Sequence, residues 1–127
     1  PQKFSLIFDF QPESLEEEAA AIISSDSARK VLKALVEKTA GLTEFNYDLF
    51  ARITGEIKKE TGIKGKELYH PLRVMLTARA SGLELDKFIP LIEAGAKLNF
   101  PRPVKSSLQR ITEFARLINL EPERQPA

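Results

Sequence analysis

Cysteine is absent from this chain of 127 residues, and histidine occurs once, at position 70. The lack of cysteine excludes disulfide bonds, thiolate metal sites and cysteine nucleophiles. A single histidine excludes a metal site built from several histidines. No apolar run approaches the roughly 20 residues of a membrane-spanning helix, and no secretory signal is visible at the N-terminus. We therefore expect no metal and no membrane partner, and a cytoplasmic location is compatible with the lack of cysteine.

Enzyme signatures are also missing. The sequence has no glycine-rich phosphate-binding loop, no GxGxxG and no GxSxG. A Ser-His-Asp arrangement would have to use His70, which directly precedes Pro71 and has only Glu67 as a nearby acid. Carboxylates are densest around residues 13–18, where a solvated helix start explains them better than acid–base chemistry does. We expect no catalytic residue and no cofactor site in this chain.

Charge is distributed unevenly, although the formal net charge is only +1. Residues 1–63 contain 8 Lys or Arg and 11 Asp or Glu, whereas residues 64–127 contain 11 and 7. Because cations replace counterions along a phosphate backbone, we place any RNA-facing surface in the second half. On charge alone, an ordinary solvated surface is the better explanation.

Apolar residues recur at intervals of three and four along most of the chain, which predicts an all-α fold. Short connections favour antiparallel neighbours in a compact multi-helix bundle. Ser25 or Asp26 is the expected cap of the second helix, and Asn46 of the third. The pattern predicts six helices, which begin near Pro12, Asp26, Asn46, Leu68, Glu84 and Val104 and end near Ser24, Gly41, Glu60, Arg79, Ala94 and Asn119.

Two prolines fall where helices are predicted. Because proline is tolerated best in the first turn, the regular part of the fourth helix should start near His70, just before Pro71. Pro90 predicts a kink or a split in the fifth helix. Residues 4–10 are expected to form a short strand or an extended arm, and residues 121–127 a disordered tail. The domain, residues 1–127, can also be divided into two lobes, residues 1–62 and 63–120.

The stretch from residue 62 to residue 92 reads GIKGKELYHPLRVMLTARASGLELDKFIPLI. It resembles a segment near the C-terminus of bacterial glutamyl-tRNA synthetases, which are class I aminoacyl-tRNA synthetases. Their pattern is approximately K-G-K-x-L, Phe or Tyr, then x-P-L-R-V-A-L-T-G, a short turn, G-P-x-L and a helix. FDFQPESL and ARKVLKALVEKTAG keep the family's order, and PRPVKSSLQRITEF resembles the closing helix of some members. The resemblance covers nearly the whole chain.

The resemblance implies an α-helical cage that holds the anticodon loop of glutamate tRNA. In that family the catalytic domain is separate and carries HIGH-like and KMSKS-like signatures, neither of which occurs here. ATP, glutamate and magnesium would then bind elsewhere in a longer protein. The start at Pro1 rather than methionine suggests a fragment or a processed product. We expect a monomer with a tRNA partner and no DNA partner.

The resemblance also implies site residues. The expected anticodon contacts are His70, Arg73, Gly82, Leu83 and Leu85. Arg73 would contact a base edge, because a guanidinium is planar, charged and multidentate, and His70 would offer a flat ring for stacking. The other three would form the apolar and backbone side of the pocket.

Phosphates are expected to meet a second set of residues, Lys64, Lys66 and Arg79, which position the loop without reading it. Two positions depart from the family pattern. Ala78 replaces a usual glycine and Leu83 replaces a frequent proline, so the turn between the fourth and fifth helices could follow another path.

Alternative functions remain open from sequence alone. A stand-alone tRNA-binding module would use the same fold without a catalytic partner. A helical protein-interaction module would need a large exposed apolar stripe, and none is evident beyond residues 4–10. Arg73 could instead serve as an intramolecular clamp. Lys105 and Arg110 are interpreted as solvated side chains, and Tyr69 and Phe88 as core residues.

Overall fold

The computed structural model describes residue 10 and residues 12–80, 84–98 and 104–120. Within these ranges the chain forms six α-helices and no strand, which confirms the predicted all-α class. A 3-10 turn, Pro12–Ser14, precedes them. The helices are α1 (Glu17–Ile23), α2 (Asp26–Thr39), α3 (Tyr47–Thr61), α4 (Lys66–Thr77), α5 (Leu85–Ala96) and α6 (Ser107–Leu117).

Side-chain caps set several helix starts. Ser25 accepts a hydrogen bond from the Ala28 amide (3.2 Å), and Asn46 accepts one from the Leu49 amide (2.8 Å). Each bond satisfies one of the amides that have no partner inside a first helical turn. The predicted caps of α2 and α3 are therefore confirmed, with Ser25 rather than Asp26 at the first of them.

The proline prediction was wrong for α4. The helix begins at Lys66 rather than near His70, and Pro71 is its sixth residue. The Leu68 and Tyr69 amides both bond to the Gly65 carbonyl, at 3.1 and 3.0 Å. Pro71 removes the one amide that would bond to the Glu67 carbonyl. Tertiary packing offsets this loss, because the helix is buried on several sides.

The second proline does not split its helix. Pro90 is the sixth residue of α5, which runs without a break from Leu85 to Ala96. Of the two predicted alternatives, the split is therefore wrong, and the kink stays a prediction. The face opposite Pro90 includes Phe88, Ile89 and Ile92, none of which is exposed to solvent. As in α4, burial of an apolar face holds the helix together across a missing hydrogen bond.

The core is arranged around α4, which packs against α1, α2 and α6. Helix α2 also packs against α3 and α6, and α3 packs against α5. The fully buried residues of α4 are Leu68, Leu72, Val74, Met75 and Leu76. Apolar residues crowd the stretch after Pro71, and they account for the burial of this helix on several sides. The expected strand or arm at residues 4–10 lies outside the described residues except for Phe10, which is buried.

Helix α4 ends in an unusual backbone conformation. Ala78, its C-cap, is left-handed with φ 59° and ψ 25°. Helix α3 ends in the same way at Gly62, with φ 73°. A left-handed conformation brings the β-carbon of an ordinary residue close to the next carbonyl oxygen, whereas glycine adopts it freely. The left-handed conformation therefore explains why the resembled family usually has glycine at this position.

Replacing Ala78 by glycine should not destabilise the protein. We expect Ala78→Gly to leave the free energy of unfolding unchanged within about 0.5 kcal/mol or to raise it, because relief of backbone strain offsets the lost methyl group. Ala51→Gly, at an exposed interior position of α3, should lower it by about 1 kcal/mol. Urea denaturation of both variants checks this. An equal loss in both would contradict the left-handed assignment.

Candidate nucleic-acid interface

One face of α4 brings three of the predicted site residues together. Lys66, His70 and Arg73 are spaced by four and three positions, so they lie in a row along the helix. Lys66 is exposed, whereas His70 and Arg73 are half-buried. The row therefore offers an ammonium, an imidazole and a guanidinium to the same side of the molecule.

A cleft opens beside this row, between α4 and the turn that joins α1 to α2. Its volume is about 230 Å³. Ile22 and Pro71 contribute apolar side chains to its lining, and Ser25, Ser27 and His70 contribute polar ones. A cleft lined by both apolar and polar groups can accept a flat heterocycle and hydrogen-bond its edge. Ala21, Lys66 and Glu67 complete the lining.

The far end of α4 is organised by the hydroxyl of Thr77. The Arg79 amide donates to Thr77 Oγ1 at 3.0 Å. The Thr77 hydroxyl oxygen lies 2.8 Å from the Arg73 carbonyl oxygen and 3.1 Å from the Arg79 carbonyl oxygen. Because the hydroxyl has a single proton, the two carbonyls share it as alternative acceptors. Thr77 is buried, so these bonds are shielded from water. They hold the turn that carries the exposed side chain of Arg79.

The remaining predicted site residues are spread out. Lys64 is exposed in the loop before α4. Arg79 lies beyond the other end of α4, two residues after Thr77. The helix axis is about 17 Å long between Lys66 and Thr77, so Arg79 is far from Lys66. Leu85 opens α5 and is buried in the hydrophobic core, with 8% of its surface exposed. Gly82 and Leu83 lie outside the described residues.

Arg110 was not predicted to matter, and its interpretation as a solvated side chain was wrong. It is fully buried. Its Nη1 donates to the Leu76 carbonyl at 2.9 Å, and its Nε donates to the Lys105 carbonyl at 2.9 Å. The guanidinium also lies 4.9 Å from the ring centroid of Phe10 and 5.3 Å from that of Phe88. Arg110 therefore connects four parts of the chain: the end of α4, α5, the segment before α6 and the segment at Phe10.

The charge of Arg110 persists in this environment. Burial lowers the pKa of Arg110 to about 10, and the carboxylates of Glu113 and Glu93 act in the opposite direction. The side chain is therefore cationic at neutral pH. One sequence signal did point inward: Arg110 lies four residues before Phe114, on the apolar side of α6. Residue type alone concealed it, because arginine is rarely buried unless it is paired.

Helix α6 is anchored beside this arginine. The Ser107 amide donates to Glu93 Oε2 of α5 at 2.7 Å. Ser106 and Gln109 form a reciprocal capping box at the same helix start. A carboxylate at a helix N-terminus is stabilised by the free amides and the helix dipole. The position of α6, and with it the position of Arg110, is thus fixed by polar contacts as well as by apolar packing.

Other kinds of site are not evident in the part of the chain that the structure describes. Those residues include no group of three or more His, Cys, Asp or Glu side chains placed to hold a metal ion. None of the helices in the described ranges is both long and apolar enough to cross a membrane. The row on α4 and the cleft beside it remain the features with recognisable binding chemistry.

Sequence comparison identifies the family of this chain. Residues 2–96 match the sequence model of the anticodon binding domain. The chain belongs to the anticodon-binding domain family. The match includes α1 to α5 and ends before α6. Family membership therefore agrees with the resemblance seen in the motif around Pro71.

Individual relatives are similar over most of the chain. A glutamate–tRNA ligase of Sulfurihydrogenibium sp. (strain YO3AOP1) is 34% identical over 99 residues, which are 78% of this chain and 19% of that protein. Glutamate–tRNA ligase 1 of Halorhodospira halophila is 40% identical over 81 residues, 64% of this chain and 16% of that protein. The glutamate–tRNA ligase of Bacillus subtilis is 37% identical over 76 residues, 60% of this chain and 16% of that protein.

The chain thus spans about a fifth or less of the length of the curated relatives that it matches. No solved structure matches the chain.

Removing the hydroxyl of Thr77 should loosen the turn at the end of α4. We expect Thr77→Val to lower the free energy of unfolding by about 1 kcal/mol, because it leaves the Arg79 amide without its acceptor. Thr54→Val is the matched control. Thr54 is equally buried, but its hydroxyl bonds only to the Phe50 carbonyl four residues earlier in the same helix.

The check is chemical denaturation combined with amide hydrogen exchange at Arg79. The Thr77 variant should exchange faster there, while the Thr54 variant should match the unaltered chain. Equal exchange at Arg79 in all three proteins would show that the hydroxyl does not hold the turn.

Proposed function

We propose that this chain reads the anticodon of glutamate tRNA as part of a glutamate–tRNA ligase. Membership of the anticodon-binding domain family over residues 2–96 carries the proposal. The relatives described above are named glutamate–tRNA ligases, and the chain corresponds to a small part of each. The catalytic part, which binds ATP and magnesium and attaches glutamate, would lie outside this chain. A monomeric, cytoplasmic protein goes with this function.

The row on α4 supports a specific division of roles. Bases of a single-stranded loop can be splayed outward, stacked on flat side chains and hydrogen-bonded at their edges. Arg73 would read a base edge, and the imidazole of His70, which lines the cleft, would stack against a neighbouring base. Both side chains are half-buried, so their positions are restrained before RNA arrives. Such restraint reduces the entropy lost on binding.

Phosphate contacts would come from the two ends of α4. Lys64 and Lys66 are exposed at its beginning, and Arg79 is exposed after its end. Because the length of the helix separates them, they would contact different phosphates of one loop. Such contacts fix register without reading sequence. Leu85 would support the pocket from within the core, and the roles of Gly82 and Leu83 remain predictions.

Titration with RNA hairpins tests the proposal. One hairpin is the anticodon stem-loop of glutamate tRNA, and the other has the same stem with a scrambled loop. We expect the unaltered chain to prefer the first. Arg73→Gln should lose about tenfold or more of that preference, as expected for a base contact of roughly 1–3 kcal/mol. His70→Ala should weaken binding of the cognate loop more than that of the scrambled loop.

The lysine variants should behave differently. Lys66→Gln should weaken binding to both hairpins alike. It should also make the negative slope of log K against log salt less steep by about 0.7, the value for one phosphate contact on a single strand. Lys33→Gln, on the exposed side of α2, is the charge-matched control and should change neither quantity. Equal binding of both hairpins by the unaltered chain would reject anticodon reading. Equal slopes for Lys66→Gln and Lys33→Gln would reject the phosphate assignment.

A further inference from the structure

We propose that Arg110 of α6 is a positioning residue for the C-terminal end of α4, the part of the helix that lies between Arg73 and Arg79. This inference rests on the proposed function and extends it to a helix outside the family match, which ends at residue 96. Arg110 would not touch RNA, because it is fully buried. Its effect would be transmitted through the backbone carbonyl of Leu76.

The contact matters because the Leu76 carbonyl lies at the C-terminal end of α4. Leu76 is the second-last residue of α4, three positions after Arg73 and three before Arg79. The last four carbonyls of a helix have no amide partners within it. Here the Ala78 amide bonds to the Val74 carbonyl, and Arg110 Nη1 supplies the donor for Leu76. A cation at this end of a helix is also favoured by the helix dipole.

The guanidinium is itself held from several directions. Its Nε bond to the Lys105 carbonyl fixes its plane relative to the start of α6. The rings of Phe10 and Phe88 lie within cation–π distance of it. The carboxylates of Glu113 and Glu93 favour its charged form, and Glu93 also accepts a hydrogen bond from the Ser107 amide. Movement of the end of α4 would therefore disturb contacts of α5, α6 and the segment at Phe10 together.

Arg110 does more than fill space at this position. Well-packed apolar side chains in place of a whole buried ion pair are often neutral or stabilising, whereas replacing Arg110 alone would leave the Leu76 and Lys105 carbonyls without this donor. An apolar residue, however, cannot donate to the Leu76 carbonyl. A planar donor with two fixed N–H directions can hold that carbonyl at a defined distance from α6. The turn that begins one residue later, at Thr77, carries Arg79 and inherits this position.

The test compares three variants of the whole 127-residue chain. Arg110→Met keeps an extended apolar side chain but removes the donors. Arg110→Lys keeps the charge but loses the planar pair of N–H groups, and it serves if the Met variant does not fold. Ile111→Ala is the control, since Ile111 is buried in the same helix but lines a groove with Val36 of α2. All are measured at a temperature where thermal melts show them folded.

The readouts are dissociation constants for the cognate and scrambled hairpins, and the amide shifts of Thr77 and Arg79 in the free proteins. Arg110→Met should bind the cognate loop about tenfold more weakly, because the end of α4 would no longer be held in its binding position before RNA arrives. Its preference for the cognate loop should fall, and Arg110→Lys should lie between it and the unaltered chain. Ile111→Ala, although destabilised, should bind within about twofold of the unaltered chain.

The outcomes separate the two proposals. If the unaltered chain prefers the cognate loop and Arg110→Met retains that preference and affinity, the positioning role is overturned while the proposed function stands. The same holds if Ile111→Ala loses as much preference as Arg110→Met, since the effect would then follow stability alone. If the unaltered chain does not distinguish the hairpins, the proposed function fails and the positioning role fails with it.

Discussion

The burial of α4 is the constraint on which the rest of the structure depends. This helix has Pro71 in its interior, and its N-cap residue, Gly65, has no side chain that could bond to the first free amides. An interior proline disfavours a helix in isolation. Packing against α1, α2 and α6 compensates for this. The side chains of α4 that reach solvent are then those of one side of the helix, where Lys66, His70 and Arg73 lie together with Glu67 and Tyr69.

Polar groups inside the molecule complement this packing at the ends of helices. Glu93 satisfies the Ser107 amide, the Thr77 hydroxyl satisfies the Arg79 amide, and Arg110 satisfies the Leu76 carbonyl. Each bond lies where a helix leaves backbone groups without partners. Apolar contacts bring the helices together but tolerate small displacements, whereas directional bonds define where each helix ends. A surface that reads bases needs the second kind of restraint, because edge recognition depends on alignment.

Much of the fold followed from the sequence, and the failures have physical causes. Helical periodicity and caps such as Ser25 and Asn46 predicted the six helices, because these signals are local. The rule applied to Pro71 is local too, and tertiary burial overrode it. Arg110 was missed because its residue type indicates a surface, while its partners come from distant segments. The row on α4 was predicted through family resemblance, and its spacing in the helix then followed from geometry. The depth of Leu85 required the folded structure.

The contact between Phe10 and Arg110 joins the first described residue to the last helix. Such a contact links residues far apart in the sequence, so closing it costs more chain entropy than a contact within one helix. The family match stops at residue 96, yet the helix that closes the end of α4 comes after that point. The segment that matches the family is thus shorter than the segment that these contacts tie together.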